Sequence, residues 1–289
     1  MTDQILIKNL LPEFIKSLSD KGRSPSTIIA YRADLEQFVD FAEKKQKPYP
    51  QSIGSDLIAA YRDLLLADKY TAKTVSRKLN AIKTFFKFLV EQGHISTNPA
   101  QEVAHPKMEP SKPKFLSKLE YRALRDTVRD DIRTAAIVEL ILQTGLRISE
   151  VANLKLANVK DDEIKVEAYA SQPERTIPLN KRAKEALDNY LKKERPKADS
   201  PYFFISKNGK PLAIRNIRST INRYIQKAEM PSYTINDLRT TFIVENLKAG
   251  VNLVLLSQIA GHKRLSTTES YLELAGIKEP GNKQELEEL

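Results

Sequence analysis

Four short segments of the chain contain residue types that can act together on a phosphate ester. Arg147 ends a Thr-Gly-Leu-Arg segment, and Arg239 ends an Asn-Asp-Leu-Arg segment. His262 follows an Ala-Gly pair, and Tyr271 closes a Thr-Thr-Glu-Ser-Tyr segment. The set consists of two guanidiniums, one imidazole and one phenol, in that order along the chain.

Cleavage of a DNA strand by a tyrosine would use each of these groups. The phenol, whose usual pKa is about 10, must be activated or positioned to attack. The transition state gathers negative charge on the non-bridging phosphate oxygens, which guanidiniums bind as permanently charged forks. A histidine can donate to an oxygen or handle a proton. Each residue alone has an ordinary role, as a helix-end charge, ion pair, cap or core aromatic, so the combination carries the prediction.

The four segments lie in a block that is predicted to be mainly helical with a small β-sheet (α+β). A capping box, Ser117-x-x-Glu120, begins its first helix. Further helices are predicted at 135–142, 180–194, 215–228, 236–248, 252–259 and 267–274. Strands are predicted at 163–168, 176–179 and 202–205, with a turn at 171–173. Gly145, Gly250 and Gly261 stand where helices commonly end.

The preceding block is predicted to be helical as well, and one of its helices is strongly basic. Apolar periodicity predicts helices from 28 to 42, 55 to 67 and 71 to 91. The third helix carries the candidate DNA-binding residues Lys73, Arg77, Lys78 and Lys83. The formal net charge of +10 favours an anionic polymer such as double-stranded DNA as partner. A solvated surface face explains the same charge stripe equally well.

Composition and linker signals divide the chain and exclude several classes of protein. We expect a helical domain at 1–104, a linker rich in proline and lysine at 105–115, and a catalytic domain at 116–289. The chain has no cysteine and three widely spaced histidines, so neither a disulfide framework nor a thiolate or histidine-rich metal site is expected. No apolar run reaches the roughly 18 residues of a membrane span, and we expect a cytoplasmic protein associated with the nucleoid.

The second block resembles the catalytic domain of the tyrosine recombinase family, also called phage integrases, over residues 117–275. The resemblance rests on the segments that end at Arg147, Arg239 and Tyr271, together with Ala-Gly-His before the tyrosine. The first block resembles that family's helical core-binding domain through its Ser-x-x-Thr-x-x-x-Tyr opening at 24–31. The whole chain is most similar to the short bacterial members, either Xer-like or transposon-encoded resolving recombinases.

This resemblance implies a mechanism and an assembly. Arg147 and Arg239 would clamp the scissile phosphate, and His262 would hydrogen-bond it. Tyr271 would attack, leaving a 3′-phosphotyrosyl bond and a free 5′ hydroxyl, with no need for ATP or metal. Strand exchange would pass through a Holliday junction in a homotetramer, or a complex with a related recombinase, on two copies of a specific DNA site. The tail after Tyr271 would either dock on a neighbouring subunit or form a frayed acidic end.

Two positions depart from the family pattern. Asn236 stands where the family usually has histidine, and an amide can hold a phosphate oxygen but cannot shuttle a proton. We therefore interpret Asn236 as a positioning group in the catalytic set. The family's general-acid lysine aligns with Ala170 or Ser171, and Lys165 could replace it only with a different hairpin register. The sequence does not identify the general acid.

Two other readings are compatible with these residues. A non-catalytic DNA-binding relative with the same fold would explain Ala170 and Asn236. A type IB topoisomerase uses similar residues for relaxation without strand exchange, although the small helical first block favours the recombinase. Chromosome dimer resolution, cointegrate resolution and element integration all fit the sequence, and neither a DNA target nor an accessory protein can be derived from it.

Overall fold

The chain forms two compact units, each with its own hydrophobic core. The computed structural model describes residues 5–108, 113–160, 162–168 and 173–289. The N-terminal unit comprises Met1–Pro110, and the C-terminal unit comprises Ser111–Leu289. Most of the described residues are helical, and one two-stranded sheet is found among them. The prediction of a mainly α fold with a small sheet is confirmed.

The N-terminal unit is a cluster of helices around aromatic side chains. Its helices are α1 (Ile7–Asp20), α2 (Pro25–Lys44), α3 (Ser55–Ala67) and α4 (Ala72–Glu91). Helix α2 begins at Ser24, whose hydroxyl accepts the Thr27 backbone N–H, and Pro25 fits the first helical position. The rings of Phe14, Phe38 and Phe85 are almost fully buried at the centre. Helix α1 was not predicted from the sequence, whereas the other three helices were.

The C-terminal unit surrounds helix α6 with shorter elements. They are α5 (Lys118–Val128), α6 (Ile132–Thr144), α7 (Ile148–Ala152), β1 (Glu163–Val166), β2 (Arg175–Pro178), α8 (Lys181–Lys193), α9 (Ile214–Lys227), α10 (Ile235–Lys248), α11 (Leu253–Ala260), α12 (Leu265–Glu269) and α13 (Leu272–Ala275). Helix α6 is apolar on nearly all sides because it packs against α5, α8, α9 and α10. The predicted capping box at Ser117 and Glu120 begins α5.

Three predicted elements differ from the structure. Strand β1 ends at Val166 and not at 168, and the turn predicted at 171–173 falls largely on residues 169–172, outside the described part of the chain. The strand predicted at 202–205 is wrong, since only isolated bridges form at its two ends. Its apolar run reflects burial of Phe203 and Phe204 in the core. The helix predicted at 267–274 is interrupted between α12 and α13, at Tyr271.

The segment after α13 folds back onto its own unit. The Lys283 backbone N–H donates to the Gly250 carbonyl at 2.9 Å, and the Asn252 N–H donates to the Lys283 carbonyl at 2.7 Å. Further along, Leu289 is 6% exposed, and the Gln143 side-chain amide donates to its carbonyl at 2.8 Å. A frayed acidic end is therefore the wrong description of this segment.

The described part of the chain contains neither a membrane-spanning helix nor a cluster of metal ligands. None of its helices combines the length and the apolar character that crossing a bilayer requires. The same residues contain no group of three or more histidine, cysteine or acidic side chains arranged to hold a metal ion.

Candidate active site

Arg147 is placed by a tight link between two helices of the C-terminal unit. Helix α6 ends at Gly145, whose φ of +63° is the left-handed conformation that favours glycine. A Cβ atom at this position would collide with the ring of Phe242. Two residues later, the Arg147 backbone N–H and Nη1 both donate to the Glu150 carboxylate, at 2.8 and 3.1 Å. The start of α7 thus fixes the direction of the Arg147 side chain.

Arg239 reaches the same place from the second turn of helix α10. Its Nη1 donates to the Gly145 carbonyl, and its Nη2 donates to the Ala260 carbonyl at 2.6 Å. Burial, together with the charge of Arg147, lowers the pKa of Arg239 to about 9. The guanidinium is still protonated near neutral pH. Two positive charges are thus held side by side before any phosphate is bound.

The C-terminal end of helix α11 supports this pair of arginines. The helix closes at Gly261, with a φ of +64°, and its last carbonyls have no partner within the helix. The Gly261 carbonyl accepts from Arg147 Nη2 at 2.8 Å, and the neighbouring Ala260 carbonyl accepts from Arg239. The negative end of the helix dipole stabilises cations here. A Cβ on Gly261 would lie 2.9 Å from Arg175 Cζ and 3.1 Å from Arg147 Nη1, so a side chain here would displace these guanidiniums from their positions.

Glu150 and Arg175 complete the cluster, and neither was among the predicted site residues. Arg175 Nη1 and Nη2 donate to the two Glu150 oxygens at 2.9 Å each, and Arg175 Nε donates to the Ile259 carbonyl at 2.8 Å. Burial raises the pKa of Glu150, but its bonds to Arg175 and Arg147 outweigh this and hold the pKa below its usual range. Alternation along β2 could have revealed the inward direction of Arg175, since Ile177 on the same face is fully buried.

His262 and Tyr271 lie against each other beside the arginines. Their rings are parallel, with an interplanar angle of 5° and centroids 6.1 Å apart. His262 Nδ1 is 2.8 Å from the hydroxyl oxygen of the buried Thr268. Burial and the charges of Arg239 and Arg147 lower the pKa of His262 to about 4. The imidazole is therefore neutral at neutral pH.

Four of the five predicted catalytic residues line one cleft. A cleft of about 410 Å³ is bordered by Arg147, Asn236, Arg239 and Tyr271. His262 is the fifth predicted residue, and it lies beside the cleft with its ring parallel to that of Tyr271. Asn236 is exposed in the first turn of α10, one helical turn before Arg239. The structure thus brings together the residues that the sequence spreads over more than a hundred positions.

The hairpin gives no lysine to this cleft within the described residues. Lys165 pairs with Thr176 in the β1–β2 register, on the face opposite the buried Ile164. Its Nζ forms an ion pair with Glu174 at 3.0 Å, and both side chains are about half exposed. Ala170 and Ser171 lie outside the described residues. The general acid is therefore not identified among the described hairpin residues.

The predicted basic face of helix α4 needs one correction. Lys73 and Arg77 are exposed, and Lys83 is half-buried with its ammonium near the Gln101 carbonyl. Lys78 is instead buried, at 6% exposure, and its Nζ donates to Asp34 at 2.9 Å and to Gln37 at 2.6 Å. The prediction that Lys78 belongs to an exposed basic face is wrong, because its position in the helix turns it toward α2.

Comparisons with known proteins agree with this site. Residues 114–276 match the model of the phage integrase family, and residues 11–93 match that of the phage integrase N-terminal SAM-like domain. The chain is 31% identical over 265 residues to the tyrosine recombinase XerC of Thermodesulfovibrio yellowstonii, covering 87% of this chain and 86% of that protein. It is 30% identical to the XerC of Halalkalibacterium halodurans, covering 87% and 88%.

Solved structures show the same fold. A lambda integrase tetramer bound to a Holliday junction superposes with a TM-score of 0.78 at 18% identity, covering 99% of this chain and 81% of that one. The family model for the C-terminal unit includes Arg147, Arg239, His262 and Tyr271 within its matched range. The family match over more than half of the chain and the 30–31% identity to curated relatives show that this chain belongs to the phage integrase family of tyrosine recombinases.

Proposed function

We propose that this protein is a site-specific DNA recombinase that cuts and rejoins strands through a covalent bond to Tyr271. The observation that carries the proposal is the single cleft shared by the Tyr271 phenol, the Arg147 and Arg239 guanidiniums and the Asn236 amide. A phosphodiester seated there would meet a nucleophile on one side and permanent positive charge on the other.

The bond changes in the proposed reaction balance without a cofactor. The Tyr271 oxygen bonds to phosphorus as the bond to the 5′ oxygen breaks, and the phenol proton leaves to solvent or a base. The 5′ oxygen takes up a proton and departs as a free hydroxyl. A 5′ hydroxyl from the partner strand then attacks the phosphotyrosyl phosphorus and releases Tyr271. Since phosphoryl bonds formed and broken are equal in number, neither ATP nor a redox partner is required.

The neighbouring residues have distinct roles in this proposal. Arg147 and Arg239 neutralise the charge that develops on the non-bridging oxygens. If the Thr268 hydroxyl donates to His262 Nδ1, the proton of the neutral ring lies on Nε2, which can donate to phosphate. Asn236 would orient a phosphate oxygen by hydrogen bonding, because an amide does not exchange protons near neutral pH.

The N-terminal unit and the assembly belong to the same proposal. Lys73, Arg77 and Lys83 would contact phosphates of double-stranded DNA, in keeping with the net charge of +10. Two pairs of subunits, either four copies of this chain or copies mixed with a related recombinase, would hold two duplexes through a Holliday junction. The lambda integrase tetramer with a Holliday junction supports this assembly by shared fold. The protein would act at the nucleoid, in the cytoplasm.

The proposal is tested on DNA that the protein itself selects. Fragments of the source genome that bind the Tyr271→Phe variant provide the site. Two duplexes carrying that site, of different length, are then incubated with the wild type in EDTA, and recombinant lengths are scored on a gel. Recombinants from the wild type alone are expected. Covalent attachment with plasmid relaxation but no exchange would indicate a topoisomerase, and binding without covalent attachment would indicate a non-catalytic relative.

A further inference from the structure

The last three carbonyls at the end of α11 each bind a different arginine. Ile259 accepts from Arg175 Nε at 2.8 Å, Ala260 from Arg239 Nη2 at 2.6 Å, and Gly261 from Arg147 Nη2 at 2.8 Å. Three guanidiniums from three separate elements therefore converge on one helix end. Because like charges at this spacing repel one another, their arrangement depends on the groups that lie between them.

One carboxylate lies between two of these arginines. Glu150 accepts two bonds from Arg175, at 2.9 Å each, and two from Arg147, at 2.8 and 3.1 Å. Its side chain is 7% exposed, so the pairing is shielded from water and geometrically strict. The direction in which Arg147 points thus depends on Glu150, and the orientation of Glu150 depends on the fork of Arg175.

Arg175 itself does not face the cleft that contains Tyr271. Its side chain is 9% exposed, compared with 29% for Arg147, and it is absent from the residues bordering the 410 Å³ cleft. All three of its nitrogens are engaged, with Glu150 and with the Ile259 carbonyl. Direct contact with the scissile phosphate is therefore not its role in this structure.

We propose that Arg175 is a positioning residue for strand cleavage: through Glu150 and the end of α11 it sets the direction of the Arg147 guanidinium. This inference rests on the function proposed above, in which Arg147 binds the reacting phosphate. The role needs a planar fork, because only a guanidinium can bind both carboxylate oxygens and the Ile259 carbonyl at once. An ammonium keeps the charge but cannot reproduce these three directions.

A second arginine provides a matched control for the loss of a partly buried ion pair. Arg125 binds both oxygens of Glu139, at 2.8 and 2.7 Å, and its side chain is 18% exposed. This pair lies in the same unit, between α5 and α6, and has no bond to α11 or Arg147. Arg125 Nη2 also donates to the Leu289 carbonyl at 2.9 Å. Arg125→Lys therefore reports what the loss of a carboxylate fork and one backbone-carbonyl contact does to folding alone.

The test measures the rate of covalent attachment to a selected DNA site that is nicked beside the scissile phosphate, with the full chain at saturating concentration. Arg175→Lys should slow attachment about 10- to 100-fold, while DNA affinity changes by less than about twofold. In an Arg147→Ala background, the same change should slow attachment by less than about twofold, because no guanidinium is left to direct. Arg125→Lys should match the wild type.

The outcomes separate the inference from the proposed function. Equal slowing in both backgrounds, or a rate for Arg175→Lys no lower than that for Arg125→Lys, overturns the positioning role while cleavage by Tyr271 stands. If Arg175→Lys is unfolded by circular dichroism, Glu150→Gln disturbs the same pair from the other side and takes its place. No attachment by the wild type would overturn the proposed function, and this inference with it.

Discussion

At the residue scale, the site is organised around charge that is present before the substrate arrives. Arg147 and Arg239 are held by backbone carbonyls and by Glu150, so their repulsion is offset in the DNA-free protein. A phosphate entering the cleft would find guanidiniums already directed, which reduces the reorganisation that binding requires. Burial and the same positive charges lower the pKa of His262, so titration of this histidine measures the electrostatics of the site.

The stability of the protein should depend on pH through His262. Burial, with the charges of Arg239 and Arg147, lowers its pKa to about 4, whereas an unfolded histidine titrates near about 6.5. Between these values the unfolded chain binds a proton that the folded chain does not, so stability falls as pH falls through this window. Urea unfolding at about pH 7 and about pH 5 should show a smaller pH-dependent loss in His262→Gln than in the wild type. His94→Gln, in the N-terminal unit, serves as control, and identical losses in all three proteins would argue against the electrostatic account.

At the element scale, two helix ends hold the arginines of the cleft, and one helix face carries exposed cations. The ends of α6 and α11 both close with left-handed glycines, and the carbonyls at these ends receive the arginine side chains. The face of α4 is divided between exposed cations and the buried Lys78. Sequence periodicity predicts such helices but not which carbonyls remain free for a side chain.

Gly261→Ala tests the close approach at the end of α11. A new Cβ would lie 2.9 Å from Arg175 Cζ and 3.1 Å from Arg147 Nη1, in addition to the strain of a φ of +64°. Gly250→Ala is the matched control, with a φ of +81° and no atom within 4 Å of the new Cβ. Both variants should lose about 1–2 kcal/mol of stability, measured by urea unfolding. Only Gly261→Ala should also lose covalent attachment to DNA, and equal activity in the two variants would contradict the role of this contact.

Lys78 should contribute to the stability of the N-terminal unit, and Lys73 should contribute to DNA binding. Lys78→Met leaves the buried Asp34 paired only with the half-exposed Arg77, so we expect about 1–3 kcal/mol of lost stability in the N-terminal unit, measured by urea unfolding. Lys73→Met should leave stability nearly unchanged and reduce the salt dependence of DNA binding by about one unit of slope, measured by fluorescence anisotropy. The reverse pattern, with a stability loss only in Lys73→Met, would contradict the assignment of Lys78 to the interior.

At the scale of the whole molecule, the sequence predicts the helices of both units and the residues that meet at one cleft better than it predicts the connections between elements. Short motifs such as Thr-Gly-Leu-Arg can be recognised locally, and their order along the chain indicates the family. Helix α1 escapes prediction because Pro12 stands inside it. Alternation along β2 indicates that Arg175 points inward, but its pairing with Glu150 joins residues 25 positions apart on different elements, which no local pattern reveals.

The docked tail, residues 283–289, should stabilise the C-terminal unit. Removing residues 283–289 deletes the bonds of Lys283 to Gly250 and Asn252 and uncovers the site of the buried Leu289. We expect the melting temperature of the C-terminal unit to fall by about 2–4 °C for each kcal/mol lost, the range for a domain of about 150–250 residues. Calorimetry of the full and shortened chains measures the shift, and an unchanged melting temperature would show that the tail does not stabilise the unit.

The proposed function depends on a covalent bond between Tyr271 and DNA. The most direct measurement is to trap the wild type on its selected DNA site, nicked so that religation fails, digest the adduct with protease and identify the DNA-linked peptide by mass spectrometry. We expect one modified residue, Tyr271, joined to a 3′ phosphate, and no adduct from Tyr271→Phe. An adduct on another residue, an adduct that persists in Tyr271→Phe, or linkage to a 5′ phosphate would contradict the proposed function.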